Sequence, residues 1–176
     1  MSEKTTMNNW KMLTLVGKDR PGIVARVTDA LYQNGWNLGE ASMLRLGGNF
    51  TIMLMISGEG EVEPVLQPVA QELGLRLHVD PIKGDLHSHV VPNIQVRVVG
   101  ADRAGIVAQV TGCLAEAGLN ILELESDVAG SSEKPIYVMG IHGYAEVPVE
   151  ELQQAVSRLV DQGIDVTVSG IETLIG

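Results

Sequence analysis

With 176 residues and a formal net charge of −10, the chain is long enough for one domain or two small ones, and it lacks the basic surface that direct, sequence-independent attraction to nucleic acid requires. No apolar run approaches the roughly 18–20 residues of a membrane span, and the polar start MSEKTTMNN has no signal-peptide hydrophobic region, so a soluble, cytoplasmic protein is expected. The single Cys113 excludes an intrachain disulfide; lying in a helical pattern, it reads as a small core residue.

In chain order, residues 1–9 read as a tail. Lys11 to Val16 alternate, with Leu13 and Leu15 on one face and Met12, Thr14 and Val16 on the other, which predicts a strand beside a core. Gly17 to Arg20 reads as a turn. Ile23, Val24, Val27, Ala30 and Leu31 then recur at helical spacing until Gly35. Asn37 to Leu46 predicts a second strand, Gly47-Gly48-Asn49 a tight hairpin turn and Phe50 to Ser57 a third strand. Glu63 to Leu73 predicts a second helix with Pro64 in its first turn, where a missing N–H does no harm. Leu75, Leu77 and Val79 alternate in a fourth strand that ends at Pro81. The order is βαββαβ, the split βαβ or ferredoxin-like unit.

The same order then returns. Gly17-Lys-Asp-Arg-Pro-Gly-Ile-Val-Ala-Arg-Val-Thr28 reappears as Gly100-Ala-Asp-Arg-Ala-Gly-Ile-Val-Ala-Gln-Val-Thr111, and 13 of 24 positions coincide when 17–40 is laid on 100–123. A period this long, present twice, indicates a duplicated small domain rather than a solenoid. The second copy is expected to have strands marked by Ile94, Val96 and Val98, then at 119–128, 135–142 and 164–169, with helices at 104–118 and 149–162. Two extra residues are expected in its hairpin around Gly130 to Lys134. The expected domains are 10–82 and 93–174, joined by a linker at 83–92. The fold class is α+β: two tandem units, each a four-stranded antiparallel sheet with two helices on one face.

The other face of such a sheet is left open. In the first unit it should carry Met12, Thr14, Val16, Met53 and Met55, opposite a core of Leu13, Leu15, Ile52, Leu54 and Ile56. In the second unit Val99, Ile136 and Val138 should stand there beside Gln95 and Arg97. A face this apolar predicts burial against the other half or another copy, giving a homodimer or higher oligomer.

The two repeated turns carry the chemistry. Gly22 and Gly105, each after a strand and at the mouth of a helix, let a ligand approach free helix N–H groups, which suit a carboxylate. Asp19 and Asp102 stand just before, placed either to cap the helix or to hold an ammonium group. Asn37 and Asn120 open the second strands with amides that both donate and accept. Together these suit a free amino acid. The simpler alternative is that Asp caps, Gly packs and Asn serves a turn.

Asp19-Arg-Pro-Gly-Ile-Val-Ala, followed by Gly35-Trp-Asn-Leu and a hairpin, resembles the ACT domain, an amino-acid-sensing βαββαβ module, and the resemblance covers both halves. A stand-alone pair with no catalytic domain attached implies a non-enzymatic regulator without a cofactor. What the resemblance implies is an amino-acid-responsive repressor of glycine cleavage operon transcription, with a small amino acid effector, glycine or serine. Such a repressor acts through a DNA-binding transcription activator protein and not through direct contact with nucleic acid. It further implies that the effector lies between the strand–helix turn of one unit and the second-strand start of a neighbour. Carried over, the turn positions are Asp19, Arg20, Gly22 and Ile23 with Asp102, Arg103, Gly105 and Ile106, and the strand positions are Asn37 and Asn120. Asp19 and Asp102 stand where the serine-binding ACT motif has Asn, and Ala104 replaces Pro in the second copy.

Other chemistry is weakly represented. His87-Ser-His89 lacks a closed ligand set with His78 or His142. Glu123, Glu125 and Asp127 share a face of one strand and, with Glu40, are expected to protect strand edges from pairing. No nucleophile triad, phosphate loop or dinucleotide fingerprint occurs. Three classes follow in order: an effector-responsive regulator, a ligand-independent protein-interaction module, and an enzyme.

Overall fold

The computed structural model describes residues 10–82, 90–101 and 104–171. The chain divides into two compact units, 1–86 and 87–176. The first contains β1 (Trp10–Lys18), α1 (Ile23–Gln33), β2 (Asn37–Leu46), β3 (Asn49–Ser57), α2 (Glu63–Leu73) and β4 (Leu75–Pro81). Its sheet has the order β2-β3-β1-β4, and every pairing is antiparallel. The second unit contains β5 (Ile94–Ala101), α3 (Ile106–Glu116), β6 (Asn120–Ser131), β7 (Lys134–Tyr144), α4 (Val149–Ser157) and β8 (Ile164–Gly170). Its order, β6-β7-β5-β8, is the same topology, also antiparallel. This is the expected α+β class with two tandem ferredoxin-like units.

Each core follows from the two periodicities meeting. Ile23, Val27 and Leu31 recur every four residues, which places them on one helix face, and all three are buried. Leu13 and Leu15 from β1 and Ile52, Leu54 and Ile56 from β3 alternate onto the sheet face beneath them and are equally buried, as expected. The second unit repeats this with Ile106, Val110 and Leu114 over Val96, Val98, Met139 and Ile141. Burying one such aliphatic side chain contributes about 1.5–3 kcal/mol, so each unit holds a core of its own. On the opposite sheet face of the first unit, Met53 is exposed while Met12, Thr14, Val16 and Met55 are half-buried.

Several expectations are corrected. β1 runs through Gly17 and Lys18, so the turn is Asp19–Gly22 and not Gly17–Arg20. Gly17 is needed for close approach: a Cβ there would stand 2.8 Å from the Gly74 carbonyl oxygen and 2.7 Å from the Leu75 side chain. Helix α3 is shorter than 104–118. The helix expected at 149–162 ends at Ser157, and the chain tightens into a 3-10 turn over Val160–Gln162 before the left-handed Gly163.

The β6–β7 hairpin is longer than expected, pairing as far as Ser131 with Lys134. Gly17 and Gly100 lie 83 residues apart, but their counterparts on β3 and β7, Phe50 and Tyr137, lie 87 apart. The insertion is therefore four residues, two on each strand, and not two. Glycine and serine composition reads as loop, yet main-chain pairing alone extends the ladder. Gly130, at φ 91°, accommodates an approach in which a Cβ would meet the Lys134 carbonyl oxygen at 2.6 Å. Of the expected linker, residues 83–89 lie outside the described residues.

Candidate functional site

The first strand–helix turn is held at both ends. The Asp19 N–H donates to the Gly48 carbonyl at 3.1 Å, which fastens the turn to the β2–β3 hairpin. Gly22 is the N-cap of α1 with φ 87° and ψ −2°, and Arg26 N–H donates to its carbonyl at 3.0 Å as the first helical bond. These dihedrals belong to the third position of a type II turn, which glycine favours and which Pro21 prepares from the preceding position. No side chain caps the helix and no acid lies in its first turn. The N–H groups of Ile23, Val24 and Ala25 therefore stand at an uncompensated positive helix end.

Asp19 does not serve as the cap. Its carboxylate accepts an ion pair from Arg45 Nη2 at 2.5 Å, with the Asp19 side chain 25% and the Arg45 side chain 69% exposed. Arg45 was not among the residues expected from sequence. It lies on β2 opposite Phe50, and Met43 lies opposite Ile52. Directly paired residues share a sheet face, and Phe50 and Ile52 are core residues. Met43 and Arg45 therefore face the helix layer. β2 is the edge of the sheet, and there the helix layer does not cover Met43, which is 55% exposed. The space left open is a surface cavity of about 550 Å³. The expected turn residues Asp19, Arg20, Gly22 and Ile23 line it on one side, and Met43, Arg45 and Phe50 line it on the other.

Asn37 is not brought to this cavity within its unit. β1 and β2 are both antiparallel to β3, hence parallel to each other. The start of β2 therefore lies at the end of the sheet away from the turn, Asn37 pairing with Ser57 while Lys18 pairs with Asn49. Eight residue steps along β3 amount to roughly 26 Å.

The second helix start reproduces the first at its N-cap. Gly105 is the N-cap of α3 with φ 88° and ψ −3°, Gln109 N–H donates to its carbonyl at 2.9 Å, and Ile106 is buried beneath. Asp102 and Arg103 lie outside the described residues. Asn120, like Asn37, begins the edge strand at the far end, where it pairs with Tyr144. The counterpart of Arg45 at the constant 83-residue offset is Val128, which pairs with Tyr137 as Arg45 pairs with Phe50.

The remaining candidates fall elsewhere. Glu123, Glu125 and Asp127 lie opposite His142, Gly140 and Val138 on the edge strand β6, and His142 Nδ1 is 3.1 Å from Glu123 Oε2. Glu40 lies at the bulge in the other edge strand, β2. Among the described residues no group of three His, Cys, Asp or Glu could hold a metal, and His87 and His89 lie outside them. Cys113 is buried, and Arg158 Nη2 donates to its Sγ at 3.1 Å. No helix of the described residues is long and apolar enough to cross a membrane.

Comparison with known proteins gives a consistent set of likenesses. The family profile of the ACT domain matches residues 12–80 and 93–133, the second match stopping at the extended hairpin. The glycine cleavage system transcriptional repressor of Escherichia coli (strain K12) is 24% identical over 159 residues, which span 86% of this chain and 84% of that protein. A solved structure of an unknown protein from Galdieria sulphuraria superposes with a TM-score of 0.74 at 26% identity, covering 93% of this chain and 99% of that one. A solved candidate glycine cleavage system transcriptional repressor superposes with a TM-score of 0.70 at 21% identity, covering 94% and 98%.

Proposed function

Because this chain belongs to the ACT domain family, we propose that it is an amino-acid-responsive regulator, a repressor of glycine cleavage gene expression that acts by holding a DNA-binding transcription activator. The observation that carries the amino-acid reading is the turn at Asp19–Ile23. A left-handed glycine opens an uncapped helix end there onto a cavity bearing both a carboxylate and a guanidinium. A free amino acid has the complementary pair of charges. The likeness to the E. coli repressor along most of both chains supports the regulatory reading. The net charge of −10 fits contact with a basic DNA-binding protein better than contact with DNA.

The effector acts by linkage: it binds one of two states better, free or partner-bound, and shifts the balance between them by that difference. Glycine and serine are the first effectors to test. Asp19, Arg20, Gly22 and Ile23, with Asp102, Arg103, Gly105 and Ile106, are the turn positions to test for effector binding, and the two turns need not be equivalent, since Ala104 replaces Pro21 in the second. Asn37 and Asn120 contribute only where a further ACT unit brings its turn to them. The protein assembles as a homodimer or higher oligomer in the cytoplasm and carries no catalytic site or cofactor.

A second reading has its own support. The edge strand β2 exposes Leu44 and Leu46 at 56% and 70%, which suits a ligand-independent interaction module. Calorimetric titration of the protein with glycine, serine and the other amino acids, beside the Asp19→Ala, Asp102→Ala double variant, separates the two. Saturable binding that the variant loses is expected. Absence of heat and of thermal shift with every amino acid would favour the interaction module.

A further inference from the structure

We infer that each chain carries one amino-acid site and not two: it lies in the first unit, and Arg45 reads the α-carboxylate while Asp19 holds the α-ammonium. This rests on the amino-acid-responsive reading above and narrows it to one turn and one cation. The two units share the conformation of the N-cap glycine almost to the degree, with φ 87° at Gly22 and 88° at Gly105. The edge strands differ at one register position that in the first unit faces the turn. In the first unit it is Arg45, opposite the buried Phe50 and paired with Asp19 across the cavity. In the second unit the same register position, opposite Tyr137, holds Val128.

A zwitterion needs both charges. A guanidinium is planar and presents parallel N–H groups that match a carboxylate, and it stays charged at any physiological pH. Without ligand, Arg45 and Asp19 satisfy each other across an exposed ion pair, the kind that contributes little stability. A bound amino acid exchanges that one pair for two, its ammonium on Asp19 and its carboxylate on Arg45, beside the positive end of α1. At Val128 an isopropyl group offers no counter-charge, so the edge strand there leaves an α-carboxylate with the helix N–H groups and without the guanidinium that the first unit's edge strand supplies. The cavity also selects against half-ligands: an amine without a carboxylate leaves Arg45 unpaired, and a carboxylate without an amine leaves Asp19 unpaired.

The test is calorimetric titration of the full chain with each of the twenty amino acids, and with glycinamide and acetate, each of which lacks one of the two charges. Arg45→Met, Arg45→Gln and Val128→Met are titrated in parallel, and their folding is checked by thermal melting. Expected are one molecule bound per chain, no saturation by glycinamide or acetate, and unchanged affinity in Val128→Met. Both Arg45 variants should weaken binding by about ten- to hundredfold, the loss of a charged hydrogen-bonding partner. Two molecules per chain, or Arg45 variants that bind as well as the native protein, would overturn the assignment and leave the amino-acid-responsive reading in place. No binding of any amino acid to the native chain would overturn both.

Discussion

Substituting Gly22 separates backbone strain from crowding, because the structure isolates the two. A Cβ at position 22 meets nothing within 4 Å, so a side chain there loses no space, but φ is +87°. An L-residue in that region costs about 1–2 kcal/mol. Part of this is offset because alanine lowers the entropy of the unfolded chain by about 0.4–1 kcal/mol. Gly22→Ala should therefore destabilise the first unit by about 1 kcal/mol, a fall in Tm of about 4–8 °C for a unit of this size. Asparagine tolerates positive φ through local hydrogen bonding and should cost less than alanine although it is larger, whereas β-branched valine should cost most. The expected order of stability is Gly, Asn, Ala, Val, measured by calorimetric or circular-dichroism melting, and the same order should hold at Gly105, where φ is +88° and space is equally open. An order that follows side-chain volume, with alanine above asparagine, would refute the reasoning.

Two further substitutions test packing. Gly58→Ala would place a Cβ 2.6 Å from Cε3 of the buried Trp36, and overpacking of this kind should cost about 1–3 kcal/mol and shift the tryptophan emission; a neutral melt would show that Trp36 has room to move. Asn93 fastens the start of β5, accepting from the Ala145 N–H at 3.0 Å and donating to its carbonyl at 2.8 Å, both partly buried. Asn93→Ala should cost about 1–3 kcal/mol in urea unfolding, with Asn93→Asp intermediate because the acceptor survives, and equal stability of the two variants would refute the paired arrangement.

Most of the fold was legible because local and long-range signals agreed. Alternation placed Leu13 and Leu15 on one face and Ile52, Leu54 and Ile56 opposite, and all are buried. β2, α2 and β4 have the expected bounds because glycine turns or a left-handed Gly74 mark their ends. The hairpin insertion was visible, but not its size, since a glycine- and serine-rich segment can pair through its main chain without a core to bury. Arg45 was illegible for a different reason. An arginine on an edge strand reads as a solvated charge until the register sets it opposite Phe50 and beside the end of α1, and register between strands is fixed by the turn and the core together. The position of Asn37 was contained in the order of elements: a crossover helix returns the chain to the end where β1 began, so β2 starts away from the turn.

The duplication also changes what counts as evidence for function. Residues that both copies share are the ones any two folded copies would need. Gly17 and Gly100 allow close approach, Gly22 and Gly105 hold a left-handed turn, and Ile23, Val27 and Leu31 match Ile106, Val110 and Leu114 as core. Folding alone explains them, and their repetition adds nothing to a ligand argument. A position where the backbone is the same and the chemistry differs carries more weight, because folding leaves it free. Position 45 is of that kind, arginine in one copy and valine as Val128 in the other, each at the same register of its sheet. An exposed Arg45 contributes little to stability through its ion pair with Asp19. Arg45→Met should therefore melt within about 1 kcal/mol of the native protein. A large loss of stability would return Arg45 to the scaffold and remove the basis for treating it as a reader of ligand.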